Sequence, residues 1–186
     1  MYDRDVLARL IRELALQFGD FTLASGKKAN FYLDCRCVTL DAEGANQIAQ
    51  GMLDAWSPAE WPDAVGGMAV GAVPIASAIL TIAGQTRPEA KLRGFFCRKE
   101  TKEHGRGKRI EGPVRPGDKV MIVEDVVTTG GSSLQAIEHC EEFGLKVIGV
   151  TAIIDRLEGG REAFESRGYP LTTLFTVRDF GIEPPA

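Results

Sequence analysis

The sequence predicts an α/β fold, a mostly parallel sheet flanked by helices with a small N-terminal hood subdomain. Three observations point there. β-branched apolar runs recur at Lys119 to Val123, Lys146 to Ile154 and Leu171 to Val177, as strands buried on both faces require. Between the first two lies a helical segment with Leu134, Ile137, Cys140 and Phe143 on one face and Gly144 at its end, which makes a βαβ unit. With 186 residues and 44% hydrophobic content, the chain can bury one sizeable core, so residues 1–186 are expected to form a single domain.

The other elements follow in order. Asp3 can cap a helix whose apolar positions Val6, Leu7, Leu10, Ile11 and Leu14 share one face, and Gly19 is expected to end it. Phe21 to Val38 reads as short strands around a turn at Ser25-Gly26-Lys27-Lys28, which places Cys35 and Cys37 on one strand face. Asp41 opens a helix carrying Ile48, Ala49, Met52 and Leu53. A strand from about Ala64 to Val70 runs into Gly71-Ala72-Val73-Pro74, with Pro74 suited to the first turn of a helix that ends near Gly84. Leu92 to Cys97 reads as a strand. From Arg98 to Glu111 the only apolar residue is Ile110, and Gly105 and Gly107 interrupt the segment, so a mobile loop is expected there.

Composition excludes several classes of function. A net charge of −4 offers no global basic field for nucleic acid. No apolar run approaches the ~18 residues of a membrane span, and the charged start Met1-Tyr2-Asp3-Arg4-Asp5 is unlike a signal peptide, so a soluble cytoplasmic protein is expected. Four cysteines without a C-x-x-C pair, and only two histidines, make a Cys/His zinc cluster implausible and reduced thiols the expectation.

Chemistry concentrates in "VMIVEDVVTTGGSS", Val120 to Ser133. A parallel strand delivers Glu124 and Asp125 to the carboxyl edge of the sheet, where open α/β proteins bind ligands. Val126 and Val127 lead from there into Thr128-Thr129-Gly130-Gly131-Ser132-Ser133 and a helix start, whose free N–H groups favour a phosphate. Like charges repel, so the acids need a different partner from the phosphate itself. Ribose 5-phosphate meets both demands, with hydroxyls for the acids and a phosphate for the loop. Neither the nucleoside-triphosphate loop pattern nor the dinucleotide G-x-G-x-x-G pattern is present.

This segment resembles the phosphoribosyl pyrophosphate fingerprint of type I phosphoribosyltransferases. "FTLASGKKANFYLD" (21–34), "GGMAVGAVPIASAI" (66–79), "RKETKEHGRGKRIEG" (98–112) and "DRLEGG" (155–160) resemble, in the same order, segments of the orotate phosphoribosyltransferase family. The resemblance implies transfer of the ribose 5-phosphate group of phosphoribosyl pyrophosphate to orotate, in pyrimidine biosynthesis, with Mg2+ held mainly by the substrate rather than by protein ligands. It implies that Glu124 and Asp125 hold the ribose hydroxyls and that Thr128, Thr129, Gly130, Gly131 and Ser132 cradle the 5-phosphate. Arg98, Lys99, Lys102 and His104 match basic residues that contact pyrophosphate; Lys99, Lys102, His104 and Asp125 are the expected catalytic residues. Arg156 matches a residue near the orotate carboxylate, while Lys27 and Tyr32 belong to a segment that approaches the same pocket, residues 1–40 supplying much of the base-binding hood. A homodimer sharing loop 101–109 across its interface is implied, with no nucleic-acid or membrane partner.

Charge distribution agrees with the loop's role. Six basic and three acidic residues between Arg98 and Glu111 give +3, leaving −7 for the rest of the chain. Ala24, and Val70-Gly71, stand where some members of the family carry basic or aromatic residues. Two alternatives are a purine phosphoribosyltransferase, which would not need Arg156, and a non-enzymatic regulator that senses phosphoribosyl pyrophosphate, which would need a DNA-binding segment.

Overall fold

The computed structural model describes residues 1–22, 28–58, 61–99 and 109–184. Asp3 caps α1 (Arg4–Leu10), its Oδ1 accepting the N–H groups of Asp5 and Val6 at 3.0 and 3.1 Å. The helix continues as one wider turn, Ile11–Ala15, and stops there, four residues before Gly19. Gly19 instead lies inside β1 (Leu16–Thr22), which pairs antiparallel with β2 (Lys28–Leu33). Cross-strand partners Leu16 with Leu33 and Phe18 with Phe31 draw the chain into extended form before the expected breaker is reached.

The strand expected to run to Val38 ends at Leu33. Asp34 Oδ1 accepts the N–H of Arg36 at 3.1 Å, and its carboxylate takes both Nε and Nη2 of that side chain at 2.7 Å, which turns the chain into a short helix, α2 (Arg36–Thr39). Cys35 is therefore buried while Cys37 is exposed, rather than both sharing one strand face. Asp41 caps α3 (Ala42–Ala55) through the N–H of Gly44 at 2.8 Å, and Ile48, Ala49, Met52 and Leu53 are buried as the period requires.

The central sheet is built from β3 (Ala64–Met68), β4 (Arg93–Cys97), β5 (Ile110–Glu111), β6 (Lys119–Val127), β7 (Lys146–Asp155) and β8 (Leu171–Thr176). Its order is β5-β4-β3-β6-β7-β8, parallel throughout except for the edge strand β5. Helices α4 (Ala72–Thr86), α5 (Gly131–Phe143) and α6 (Gly160–Glu165) complete the crossovers. Successive strand residues serve opposite faces. Val65, Val123 and Ile153 pack with apolar residues of α1, α3 and α4, while Ala64, Ile122 and Ala152 pack with Ala136, Ile137 and Cys140 of α5. Among the described residues, no helix is long and apolar enough to cross a membrane.

One difference from expectation bears on chemistry. β6 does not stop at Val123 but stays paired with β7 as far as Val127, opposite Asp155. Glu124 and Asp125 are thus held by a sheet ladder rather than by a loop, on a stiff support.

Candidate active site

At the carboxyl end of β6 the two acids part company. Glu124 is only 7% exposed; its Oε2 accepts the hydroxyls of Ser132 at 3.0 Å and Ser133 at 2.8 Å, and its Oε1 accepts the N–H of Asp125 at 3.3 Å. Burial, reinforced by the neighbouring Asp125 charge, pushes the Glu124 carboxyl up to about 7, and the serine hydroxyls offset this only in part. Asp125 Oδ1 accepts the N–H of Val126 at 2.8 Å.

The phosphate-loop candidate follows directly. Gly130 has φ +79°, a left-handed conformation, and a Cβ there would lie 2.8 Å from Cζ of Phe164. Gly131 begins α5, and no side chain caps that helix start. Its first N–H groups and the positive end of its dipole face a stretch where Thr129, Gly131 and Ser132 are exposed. This is the arrangement that accepts an anion. Ser132, which the resemblance places in the phosphate cradle, donates its hydroxyl here to Glu124, as Ser133 does.

These groups border a cleft of about 440 Å³ whose lining includes Tyr32, Asp34, Lys99, Glu124, Asp125 and Ser132. Lys99 arrives from the end of β4, and Tyr32 from the hood, its ring 5.7 Å from that of Phe21. Val70, 77% exposed, and Gly71 also line the cleft, so the pair that stands where some members of the family carry an aromatic residue and a lysine brings neither to it. Arg98 is turned elsewhere: its Nε lies 3.3 Å from Glu111 Oε1, with the guanidinium over the Phe96 ring at 5.4 Å.

Arg156 sits one residue past β7. Its guanidinium lies over the Phe31 ring at 4.7 Å and pairs with Glu158 at 2.7 Å, and its Nε is buried without a hydrogen-bond partner. Its backbone N–H donates to the carbonyl of Val127 at 2.9 Å, which ties the arginine to the strand bearing the acids. Lys27, Lys102 and His104, and the departure at Ala24, lie outside the described residues. Asp34, with its double hold on Arg36, is a cleft residue that sequence reasoning missed; only its place in the "FYLD" segment could have marked it.

The sequence matches the phosphoribosyl transferase domain family over residues 42–169. It is 56% identical to the orotate phosphoribosyltransferase of Rhodopirellula baltica over 96% of this chain and 94% of that protein. The chain belongs to the orotate phosphoribosyltransferase family. Its fold agrees with that of the family's Mycobacterium tuberculosis member, solved in complex with Fe(III) dicitrate, at a TM-score of 0.82, 35% identity and coverage of 96% and 99% of the two chains. The same mycobacterial enzyme in complex with 5-phospho-α-D-ribosyl 1-diphosphate matches at a TM-score of 0.78, with 32% identity and the same coverage. The mostly parallel sheet and flanking helices are thus those of an orotate phosphoribosyltransferase.

Proposed function

We infer that the chain transfers the ribose 5-phosphate group of phosphoribosyl pyrophosphate to orotate, giving orotidine 5-phosphate and pyrophosphate in the route to UMP. The observation that carries this reading is the placement, on adjoining strand ends, of an acid pair, an uncapped helix start and a guanidinium joined to them through the Val127 carbonyl. Asp125 receives the ribose hydroxyls, and Glu124 supports it. The segment from Val126 to Ser132 receives the 5-phosphate. Arg156, lying on Phe31, exchanges Glu158 for the carboxylate of orotate, with Tyr32 and Lys27 on the hood side; residues 1–40 supply much of that hood.

Displacement at the anomeric carbon builds positive charge on the ribose and negative charge on the departing pyrophosphate. Catalysis is therefore mainly positioning and electrostatic stabilisation, without a nucleophilic side chain. Lys99, Arg98, Lys102 and His104 are assigned to the pyrophosphate. The last two are contributed by loop 101–109 of a neighbouring subunit, in a cytoplasmic homodimer. Magnesium neutralises charge on the diphosphate. It binds through oxygen atoms, commonly one or two carboxylates plus substrate phosphates, and the open carboxylate of Asp125 fits that need. With Asp125 as one such carboxylate, substrate oxygens would supply most of its other ligands.

The test is to offer purified protein phosphoribosyl pyrophosphate and magnesium with orotate, uracil, adenine or hypoxanthine. Orotate alone is consumed on this reading. Turnover of hypoxanthine with none of orotate would replace it by a purine enzyme, and consumption of no base would favour a regulator.

A further inference from the structure

The buried acid immediately before Arg156 plays no part in the chemistry assigned above. Asp155 ends β7 with no exposed surface. A carboxylate removed from water is costly unless donors or a cation meet its oxygens. One hydrogen bond and one longer ion pair do so: Oδ1 accepts the N–H of Leu157 at 2.8 Å, while Oδ2, without a hydrogen-bond partner, lies 3.4 Å from the Nε of Arg161. Arg161 in turn donates through Nη1 to the carbonyl of Leu171, the first residue of β8, at 2.9 Å.

The turn they hold would not choose its shape unaided. Leu157 has φ +58°, in the left-handed region that a non-glycine side chain rarely adopts. Its other side is pressed onto the phosphate loop. Arg156 N–H reaches the Val127 carbonyl at 2.9 Å, and a Cβ on Gly160 would come within 2.4 Å of Val127 Cγ1 and 2.6 Å of the Thr128 carbonyl. The Arg156 guanidinium, by contrast, is held by one ring beneath it and one ion pair to Glu158 two residues on, so its place depends on the backbone that carries it.

We propose that Asp155, braced by Arg161, is a positioning residue for the base-binding arginine: it locks the 155–158 turn so that Arg156 meets the base at a fixed place relative to the phosphate loop. This rests on the assignment of Arg156 to the orotate carboxylate. Asp155 touches no substrate. A merely structural acid would, when lost, lower stability and impair both substrates alike; a positioning acid impairs the base alone.

The experiment compares Michaelis constants for both substrates in Asp155→Ala, Asp155→Asn and Arg156→Ala proteins. In Asp155→Ala the constant for orotate rises roughly tenfold while that for phosphoribosyl pyrophosphate stays within about twofold. Asparagine keeps an acceptor for the Leu157 N–H and loses only the charge facing Arg161, so it recovers most of the loss, to a rise of about threefold. Should the alanine protein fail to fold, the asparagine protein decides alone. Unchanged orotate constants, or equal rises for both substrates, overturn the inference while an elevated constant in Arg156→Ala leaves the base-site assignment standing. An unchanged constant in Arg156→Ala overturns that assignment, and this inference with it.

Discussion

The two halves of the site are built in opposite ways. On the proposed phosphate side, the acids, the glycine loop and the helix start come from one continuous stretch, Glu124 to Ser133, in which each acid is held by neighbours within nine residues while Phe164 and Gly160 pack against the loop. On the proposed base side, Phe31 from β2 and Arg156, one residue past β7, meet only because the chain has folded. On this reading the phosphate half is a largely local, preformed cradle, while the base half depends on long-range packing. Local construction gives rigidity; assembly from distant elements leaves room for closure around a substrate.

The largest effect is expected from loop 101–109, proposed above to complete the site of a neighbouring subunit. Lys102→Ala should cut turnover roughly 100-fold or more, the scale of removing a charge-stabilising donor, with thermal stability nearly unchanged. Asp125→Ala should be inactive for the separate reason that the ribose is no longer held. Unfolded and refolded together, the two inactive proteins should regain about a quarter of native activity, because half the dimers pair an intact Asp125 with an intact Lys102 across the interface. No recovery at any mixing ratio would place the loop in its own subunit.

A smaller effect sharpens the contrast on the phosphate side. Gly130→Ala must accept both a left-handed φ and a Cβ 2.8 Å from Phe164, so thermal or denaturant unfolding should show a loss of about 1–3 kcal/mol, with weaker phosphoribosyl pyrophosphate binding. Gly131→Ala meets nothing closer than 3.9 Å and should fold normally, any penalty appearing only in phosphate affinity. Equal destabilisation of the two proteins would contradict a loop whose shape is set at Gly130.

The smallest effect is a pH dependence. Glu124 has its ordinary value of 4.5 raised to about 7 by burial and by Asp125, so the folded state binds its proton more tightly than the unfolded state does. Its contribution to stability is fully present below about pH 4.5 and lost as pH rises to about 7. Melting temperatures of the native protein should show this decline over that window, and Glu124→Gln should flatten it. Identical profiles for the two proteins would mean that the acid is not held protonated.

Much of the fold was legible from the sequence because its determinants are local: Asp3 and Asp41 cap as their positions suggest, and along Val120 to Ser133 strand, acids, glycines and helix follow one another without interruption. What escaped depended on pairings that only the folded chain shows. Gly19 lost its role as a helix stop to the pairing of Leu16 with Leu33, and Cys37 left its expected strand face because Asp34 turned the chain at Arg36. No periodicity could show that Ser132 and Ser133 serve Glu124, since that needs the first turn of α5 folded back onto β6. Nor could spacing reveal that Asp155, rather than Glu158 alone, sets the turn carrying Arg156.

Independence of the two halves is tested most directly by titrating phosphoribosyl pyrophosphate with magnesium, without orotate, into the native, Asp125→Asn and Arg156→Ala proteins and measuring heat. Asp125→Asn should weaken binding by roughly tenfold or more, as loss of a charged hydrogen-bond acceptor does, while Arg156→Ala binds like the native protein. Equal weakening in both variants would show that the phosphate cradle is not preformed and that the two halves assemble only together.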